Sequence, residues 1–123
     1  FYINMKINGG TYMDYYQLKY LVTESFYDFI LSEHYTIDQA VGRCKVDFTD
    51  KLLKKDIDTV TVYATLLERV AKYDNEKLKN YLNYYKDLKD TMKNLNLDDY
   101  LNEDEKEALL DDIDYIEDYI ESE

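Results

Sequence analysis

The side chains of this sequence that are best placed to do chemistry are carboxylates near its end. The segment LDDIDYIEDYIESE, residues 110–123, contains seven Asp and Glu residues and no Lys or Arg. Residues 96–123 hold 13 acids and one base, whereas residues 1–95 hold 14 of each sign, so this last part accounts for the formal charge of −12. Carboxylates crowded in this way attract basic surfaces. The pattern therefore predicts ionic binding as the chemistry of this segment.

Apolar residues between the acids predict how the carboxylates are arranged. Leu109, Ile113, Ile116 and Ile120 recur at steps of three and four, which defines the buried side of an α-helix. The predicted partner-binding set comprises four acids that project from the opposite half (Asp111, Asp114, Asp118 and Glu121), two acids that flank them (Asp112 and Glu117) and two tyrosines near the edges (Tyr115 and Tyr119). Like charges at this spacing destabilise a helix by roughly 0.2–0.5 kcal/mol per pair. We therefore favour a role of these acids in the electrostatic attraction of a basic partner. The alternative is that they form a solvated end that keeps the protein soluble.

Residues that serve in catalysis are sparse elsewhere. His34 is the only histidine and falls in a predicted turn, while Cys44 falls on the apolar side of a predicted helix, as a buried thiol would. The sequence contains no Gly-rich phosphate loop, no HExxH and no CxxC motif. These observations predict a protein that is not an enzyme and needs no cofactor.

One segment partly matches a calcium-binding loop. In NLNLDDYLNEDE, residues 94–105, oxygen-bearing side chains fall at loop positions 1, 3, 5, 9 and 12 of an EF-hand. Position 1, however, is Asn94 in place of a charged Asp, and position 6 is Asp99 in place of the glycine that makes the sharp turn. Asn102 and Glu105 also have the spacing of a helix capping box, which explains half of the match. We therefore predict no metal site.

The elements that must position these residues are predicted to be five helices. They begin near Asp14, Thr36, Asp58, Asp74 and Asn102, residues that favour helix N-termini. Thr36 and Gln39 also have the spacing of a capping box. The predicted apolar faces of the first four are Leu18, Leu21, Val22, Phe26, Phe29 and Ile30; Ile37, Val41, Cys44, Phe48 and Leu52; Val60, Tyr63, Ala64, Leu67, Val70 and Ala71; and Leu78, Tyr81, Leu82, Tyr85, Leu88, Met92 and Leu95. Short connections make successive helices antiparallel neighbours. The fold class expected is all-α, a compact single-domain bundle of about five helices.

Composition limits the compartment and the partners. The single cysteine cannot form an intramolecular disulfide, and no apolar run approaches the roughly 18 residues of a transmembrane helix. A cytoplasmic protein without membrane partners is expected. An acidic chain without a basic patch is repelled by phosphate, which argues against nucleic-acid binding.

The first residues have two interpretations. Gly9 and Gly10 stand just before Met13, and Gly-Gly is the usual translation of a ribosome-binding sequence. Residues 1–12 are thus expected to be a translated leader or an added tail, and residues 13–123 the folded domain. An ordinary polar N-terminal segment is the alternative.

Two segments resemble a known family. FYDFILSEHYTIDQAVGRCKVDFTDKLL (residues 26–53) and DTVTVYATLLERVAKYD (residues 58–74) are similar to the immunity protein 3 family of bacterial polymorphic toxin systems. The resemblance covers about residues 15–95 and does not include the acidic last helix. It implies a small all-helical protein that neutralises a toxin encoded beside it.

Together, charge and resemblance predict stoichiometric inhibition. The last helix is expected to bind a basic cognate toxin, such as a nuclease, and block access to its substrate. Two alternatives from other classes remain, a nucleic-acid mimic that inhibits a host nuclease and a helical adaptor with an apolar or mixed interface. The sequence leaves the oligomeric state open.

Overall fold

The computed structural model describes residues 14–49 and 55–121, where all regular structure is helical. The α-helices are α1 (Tyr15–Leu31), α2 (Ile37–Thr49), α3 (Lys55–Tyr73), α4 (Leu82–Lys93) and α5 (Glu103–Glu121), with 3₁₀ helices at Asn75–Tyr81 and Leu97–Asp99. The prediction of an all-α bundle of five helices is confirmed. The expectations for residues 1–12 and for Leu52 concern positions outside the described ranges.

Reciprocal hydrogen bonds fix the starts of the first two helices. The backbone N–H of Gln17 donates to the Asp14 carboxylate, while the Gln17 side chain accepts from the Asp14 N–H. At α2 the same exchange links Thr36 and Gln39. Each exchange satisfies two backbone N–H groups that would have no partner within the helix. The capping box predicted at Thr36 is confirmed.

Helix α3 lies at the centre of the bundle and contacts the other four α-helices. Its six predicted apolar residues are buried, but so are Ile57, Val62 and Leu66 on its other sides. The buried hydroxyls of Thr61 and Thr65 donate to the carbonyl oxygens of Ile57 and Thr61, one turn earlier. The prediction of one inward face for this helix was therefore too narrow, because α3 is covered all round.

The start of α3 also differs from the prediction. Asp58 was expected to cap the helix, but the helix already includes Lys55, and Asp58 is a buried residue of its first turn. The negative charge of Asp58 remains favourable there because the first turn carries the positive end of the helix dipole.

The predicted fourth helix is divided into a 3₁₀ helix and α4. Asp74 is the N-cap of the 3₁₀ part, although its side chain makes no capping bond. With three residues per turn, Leu78 and Tyr81 point the same way, and both are buried. Tyr84 follows three residues later and packs on Tyr81 with ring centroids 5.7 Å apart. Leu82 is consequently turned outward and is 45% exposed, so its assignment to the apolar face was wrong.

Candidate protein-binding surface on the last helix

Five exposed carboxylates form a row on the outer side of α5. The row, here called the acidic face, consists of Glu107, Asp111, Asp114, Asp118 and Glu121. Steps of four and three keep these residues on one side of the helix over about 21 Å, at 1.5 Å per residue. Within the described residues no Lys, Arg or His nitrogen forms an ion pair with them. The acidic face is therefore available to an external cation.

The opposite side of α5 anchors the helix in the core. Leu109, Ile113 and Ile116 are buried, and burial of each side chain contributes about 1.5–3 kcal/mol relative to exposure. At the N-terminus, Asn102 and Glu105 exchange hydrogen bonds of 2.9 Å between side chains and backbone N–H groups, as the sequence predicted. These buried side chains and capping bonds hold α5, and therefore its acids, in a fixed position on the bundle.

Asp112 does not flank the acidic face as predicted. It is 9% exposed and points into the bundle, where Lys19 Nζ lies 2.5 Å from its Oδ2 and the Tyr15 hydroxyl donates to the same oxygen over 3.3 Å. The same Lys19 nitrogen also lies 4.0 Å from Glu68 Oε1 of α3. The helical rotation of about 100° per residue explains the error, because it places Asp112 beside the buried side while Asp111 faces solvent. Asp112 joins α5 to α1 and α3.

Glu117 is the second predicted acid that forms an ion pair within the protein. The Tyr85 hydroxyl donates to its Oε2 over 2.5 Å, and Lys89 Nζ lies 2.9 Å from the same atom. These two hydrogen bonds lower the pKa of Glu117. Glu117 therefore connects α5 to α4, and its charge is already matched within the protein.

The two predicted tyrosines are half-buried at the edge of the acidic face that lies away from Glu117. Their rings meet edge to face at 5.1 Å, and the Tyr115 hydroxyl donates to the Tyr119 hydroxyl. Lys72 Nζ lies 5.3 Å from the Tyr115 ring centre. Both rings pack against the core, and their exposed parts border the carboxylates. Such partly exposed rings offer amphipathic contact area next to the charged row.

Two features of this surface were not in the predicted set. Glu107 continues the row by one turn toward the N-terminus, and the spacing of four residues from Asp111 was the signal for it. Leu110 is 39% exposed and lies one turn before Asp114, on the edge opposite Tyr115. The acidic face therefore has an apolar contact on each side.

The pKa values of the two buried acids Glu68 and Asp112 are shifted in opposite directions. Burial acts to raise the pKa of Glu68, but hydrogen bonds with Asp112 and Arg69 and the charge of Lys19 outweigh it, so that this pKa is lowered. Burial and the contact with Glu68 raise the pKa of Asp112 to about 6, although Lys19 opposes the shift. The two carboxyl groups thus differ in their affinity for a proton.

Residues considered for catalysis and metal binding lie apart from this surface. His34 is exposed in the turn before α2 with φ of 61°, and Cys44 is completely buried. In the segment that resembled an EF-hand, Asn96 caps the 3₁₀ helix and Asp98 pairs with Lys106 at 2.8 Å. Among the described residues, no group of three or more His, Cys, Asp or Glu side chains is arranged to hold a metal ion.

None of the helices in the described ranges has the length and apolar character needed to cross a lipid bilayer. The chain matches no family model, no curated protein and no solved structure with which it was compared. The resemblance to the immunity protein 3 family accordingly stays a prediction based on the two quoted segments.

Proposed function

We propose that this chain is an immunity protein that neutralises a cognate bacterial toxin by binding it through the acidic face. The observation that supports this most directly is the row of five exposed carboxylates without ion-pair partners among the described residues. A toxin with a basic substrate-binding cleft, such as a nuclease, is the partner whose charge matches this row. The resemblance of residues 26–53 and 58–74 to an immunity family supports the same assignment.

The proposed mechanism is occlusion without covalent chemistry. Opposite charge on the two proteins accelerates their encounter, and it disfavours acidic surfaces as competitors. After docking, the carboxylates of α5 occupy positions where the toxin would hold substrate phosphates. Leu110 and Tyr115 supply apolar contact on the two sides of the row, and side chains of this kind add binding energy where water is excluded. Inhibition therefore requires one inhibitor for each toxin molecule.

The second candidate is a helical adaptor that binds through α1. Tyr16 and Tyr20 lie one helical turn apart and are 49% and 61% exposed. Large exposed aromatic rings are common at protein interfaces. Binding through this face would depend little on salt because its contacts are mainly apolar and hydrogen-bonded.

Charge reversal tests the first proposal. A variant with Asp111, Asp114, Asp118 and Glu121 changed to Lys is titrated calorimetrically into the toxin encoded beside it at 50 and 300 mM NaCl. We expect affinity to fall by at least about tenfold at 50 mM NaCl, and the salt dependence to become weaker, because four attractive charges become repulsive.

A matched control separates position from net charge. Glu24, Asp28, Glu33 and Glu76 are exposed acids on other elements, and their change to Lys alters the net charge equally. This control is expected to retain most of the affinity. Equal losses in both variants would contradict a specific role of the acidic face. Loss of binding only after Tyr16→Ala and Tyr20→Ala would favour the adaptor.

A further inference from the structure

The exposed negative charge of α5 is confined to a single row. On one flank of the acidic face, the next acid around the helix is Glu117, and Lys89 Nζ lies 2.9 Å from its Oε2. On the other flank, Lys19 Nζ lies 2.5 Å from Asp112 Oδ2. A partner that approaches α5 therefore meets one track of carboxylates without ion-pair partners among the described residues, bordered on both sides by acids that are already paired.

The acidic face is also straight. Its five carboxylates lie within about 80° of the helix circumference over about 21 Å, at 100° and 1.5 Å per residue. One strand of B-DNA advances about 3.4 Å per nucleotide and completes a turn in about 10.5 base pairs, so over the same length it winds by about 210° around the duplex axis. A single strand has no fixed winding of this kind and can lie extended. The acidic face resembles the backbone of a single strand more than that of a duplex.

Two aromatic rings accompany the carboxylates along one edge. Asp114 and Asp118 are each followed directly by a half-buried tyrosine, Tyr115 and Tyr119, whose ring centres lie 5.1 Å apart. Proteins that bind single strands combine a positively charged groove along the backbone with aromatic and arginine side chains that stack on the bases. A carboxylate followed by a ring, repeated after four residues, presents both of the groups that such a groove recognises in a nucleotide.

Exposed lysines on the two flanks disfavour a broad basic surface as the partner. Lys72 Nζ lies 5.3 Å from the Tyr115 ring centre, and its side chain is 47% exposed. The side chain of Lys89, on the opposite flank, is 44% exposed. A cleft built for a duplex faces two rows of phosphates, separated by a groove about 6 or 12 Å wide. The acidic face matches only one of these rows, and cations placed for the other would be repelled by Lys72 or Lys89.

We propose that the toxin neutralised by this chain acts on single-stranded nucleic acid, and that the acidic face with Tyr115 and Tyr119 occupies its strand-binding groove. This inference rests on the proposed function and adds the class of substrate to it. The carboxylates take the positions of backbone phosphates, while the exposed parts of the two rings contact the side chains that stack on bases. Single-stranded RNA and DNA share this chemistry, and the experiment distinguishes them.

Cleavage assays with the toxin encoded beside this chain test the class of substrate. The substrates are single-stranded RNA and DNA of about 12 nucleotides and the duplexes of the same length. We expect one of the single strands, RNA or DNA, to be cleaved at least about tenfold faster than either duplex. Faster cleavage of a duplex would overturn the inference and leave the proposed function intact. The same holds if the chain neutralises a toxin that cleaves none of the four substrates. A toxin that the chain does not bind would contradict the proposed function itself.

Inhibition kinetics on the preferred single strand test the place of binding. With the protein at the concentration that gives half-inhibition, KM should rise several-fold and kcat should stay unchanged. The reason is that carboxylates and substrate phosphates compete for the same cations of the toxin. A fall in kcat at unchanged KM would show that the protein binds outside the strand groove, and would overturn the inference.

Two substitutions of Tyr115 separate the role of its ring from its packing. Tyr115→Phe keeps the ring, whereas Tyr115→Leu keeps an apolar side chain and removes the ring. We expect the affinity for the toxin to stay within about twofold in the Phe variant and to fall at least about fivefold in the Leu variant. Urea unfolding of both variants confirms that the proteins compared are folded. Equal affinities of the two variants would contradict the placement of Tyr115 in the groove.

Discussion

Neutralising the acidic face should make the isolated protein more stable. The change consists of Asp111→Asn, Asp114→Asn, Asp118→Asn and Glu121→Gln. Because Glu107 precedes Asp111 by one turn, the five acids make four neighbouring like-charge pairs at steps of four and three. The four substitutions abolish every one of these repulsions. Asn and Gln resemble Asp and Glu in shape and in helix propensity, so the effect of charge is isolated.

The expected gain can be worked out from this arrangement. Each pair costs roughly 0.2–0.5 kcal/mol, so the four together cost about 1–2 kcal/mol. Asp118 and Glu121 also lie near the negative end of the helix dipole, where an acid costs about 0.3–1 kcal/mol. The free energy of unfolding should therefore rise by about 1.5–4 kcal/mol at low salt.

Urea denaturation at 20 mM and 500 mM NaCl measures this gain. Most of it should vanish at the higher salt, since the repelling groups are exposed and the screening length falls to a few ångströms. The control carries Glu24→Gln, Asp28→Asn, Glu33→Gln and Glu76→Gln, which change the net charge equally. Its stability should rise by less than half as much. A quadruple α5 variant that is less stable than the parent at both salt concentrations would refute the account of these acids as unpaired.

Two further predictions concern α2. Gly42→Ala should stabilise the protein by roughly 0.5–1 kcal/mol in the same urea assay. An added Cβ meets no atom within 4 Å, and alanine favours the helix more than glycine does. Destabilisation would show that this side of α2 is covered by other residues. Burial, and secondarily Asp47, raises the pKa of Cys44 from 9.0 to about 12. Because the thiolate is the reactive form, at pH 8 a disulfide reagent should label the folded protein roughly a thousandfold more slowly than the urea-unfolded chain. Equal labelling rates would contradict the burial of Cys44.

Local sequence signals predicted the helices where a few neighbouring residues decide the structure. The capping boxes at Thr36 and Asn102 were found from a spacing of three residues, and both form in the structure. Val60, Tyr63 and Ala64 were assigned to a helix from their spacing, and all three lie in α3. Such signals are reliable because all the groups involved lie within one or two turns of the chain.

Predictions that depended on tertiary contacts were less successful. The sequence does not show that α3 is central, because one apolar face already accounts for Val60 and Tyr63, and the burial of Ile57 and Leu66 follows only from the helices around them. The place of Asp112 likewise depends on Lys19, which lies 93 residues away and could not be matched to it without the fold. A periodic pattern assigns a residue to a side of a helix, but not to a partner.

The distribution of ion pairs along α5 argues against solubility as the whole reason for its acids. Where an acid of this helix turns toward the bundle, the rest of the chain supplies a lysine, as Lys19 does for Asp112 and Lys89 for Glu117. On the outer side, no cation of the described residues is paired with any member of the acidic face. Net charge alone would keep the protein soluble wherever the acids were placed, and mixed signs would avoid the repulsion between neighbours. A row that costs helix stability and yet stays unpaired is therefore better explained by the proposed binding to a cationic surface than by solubility.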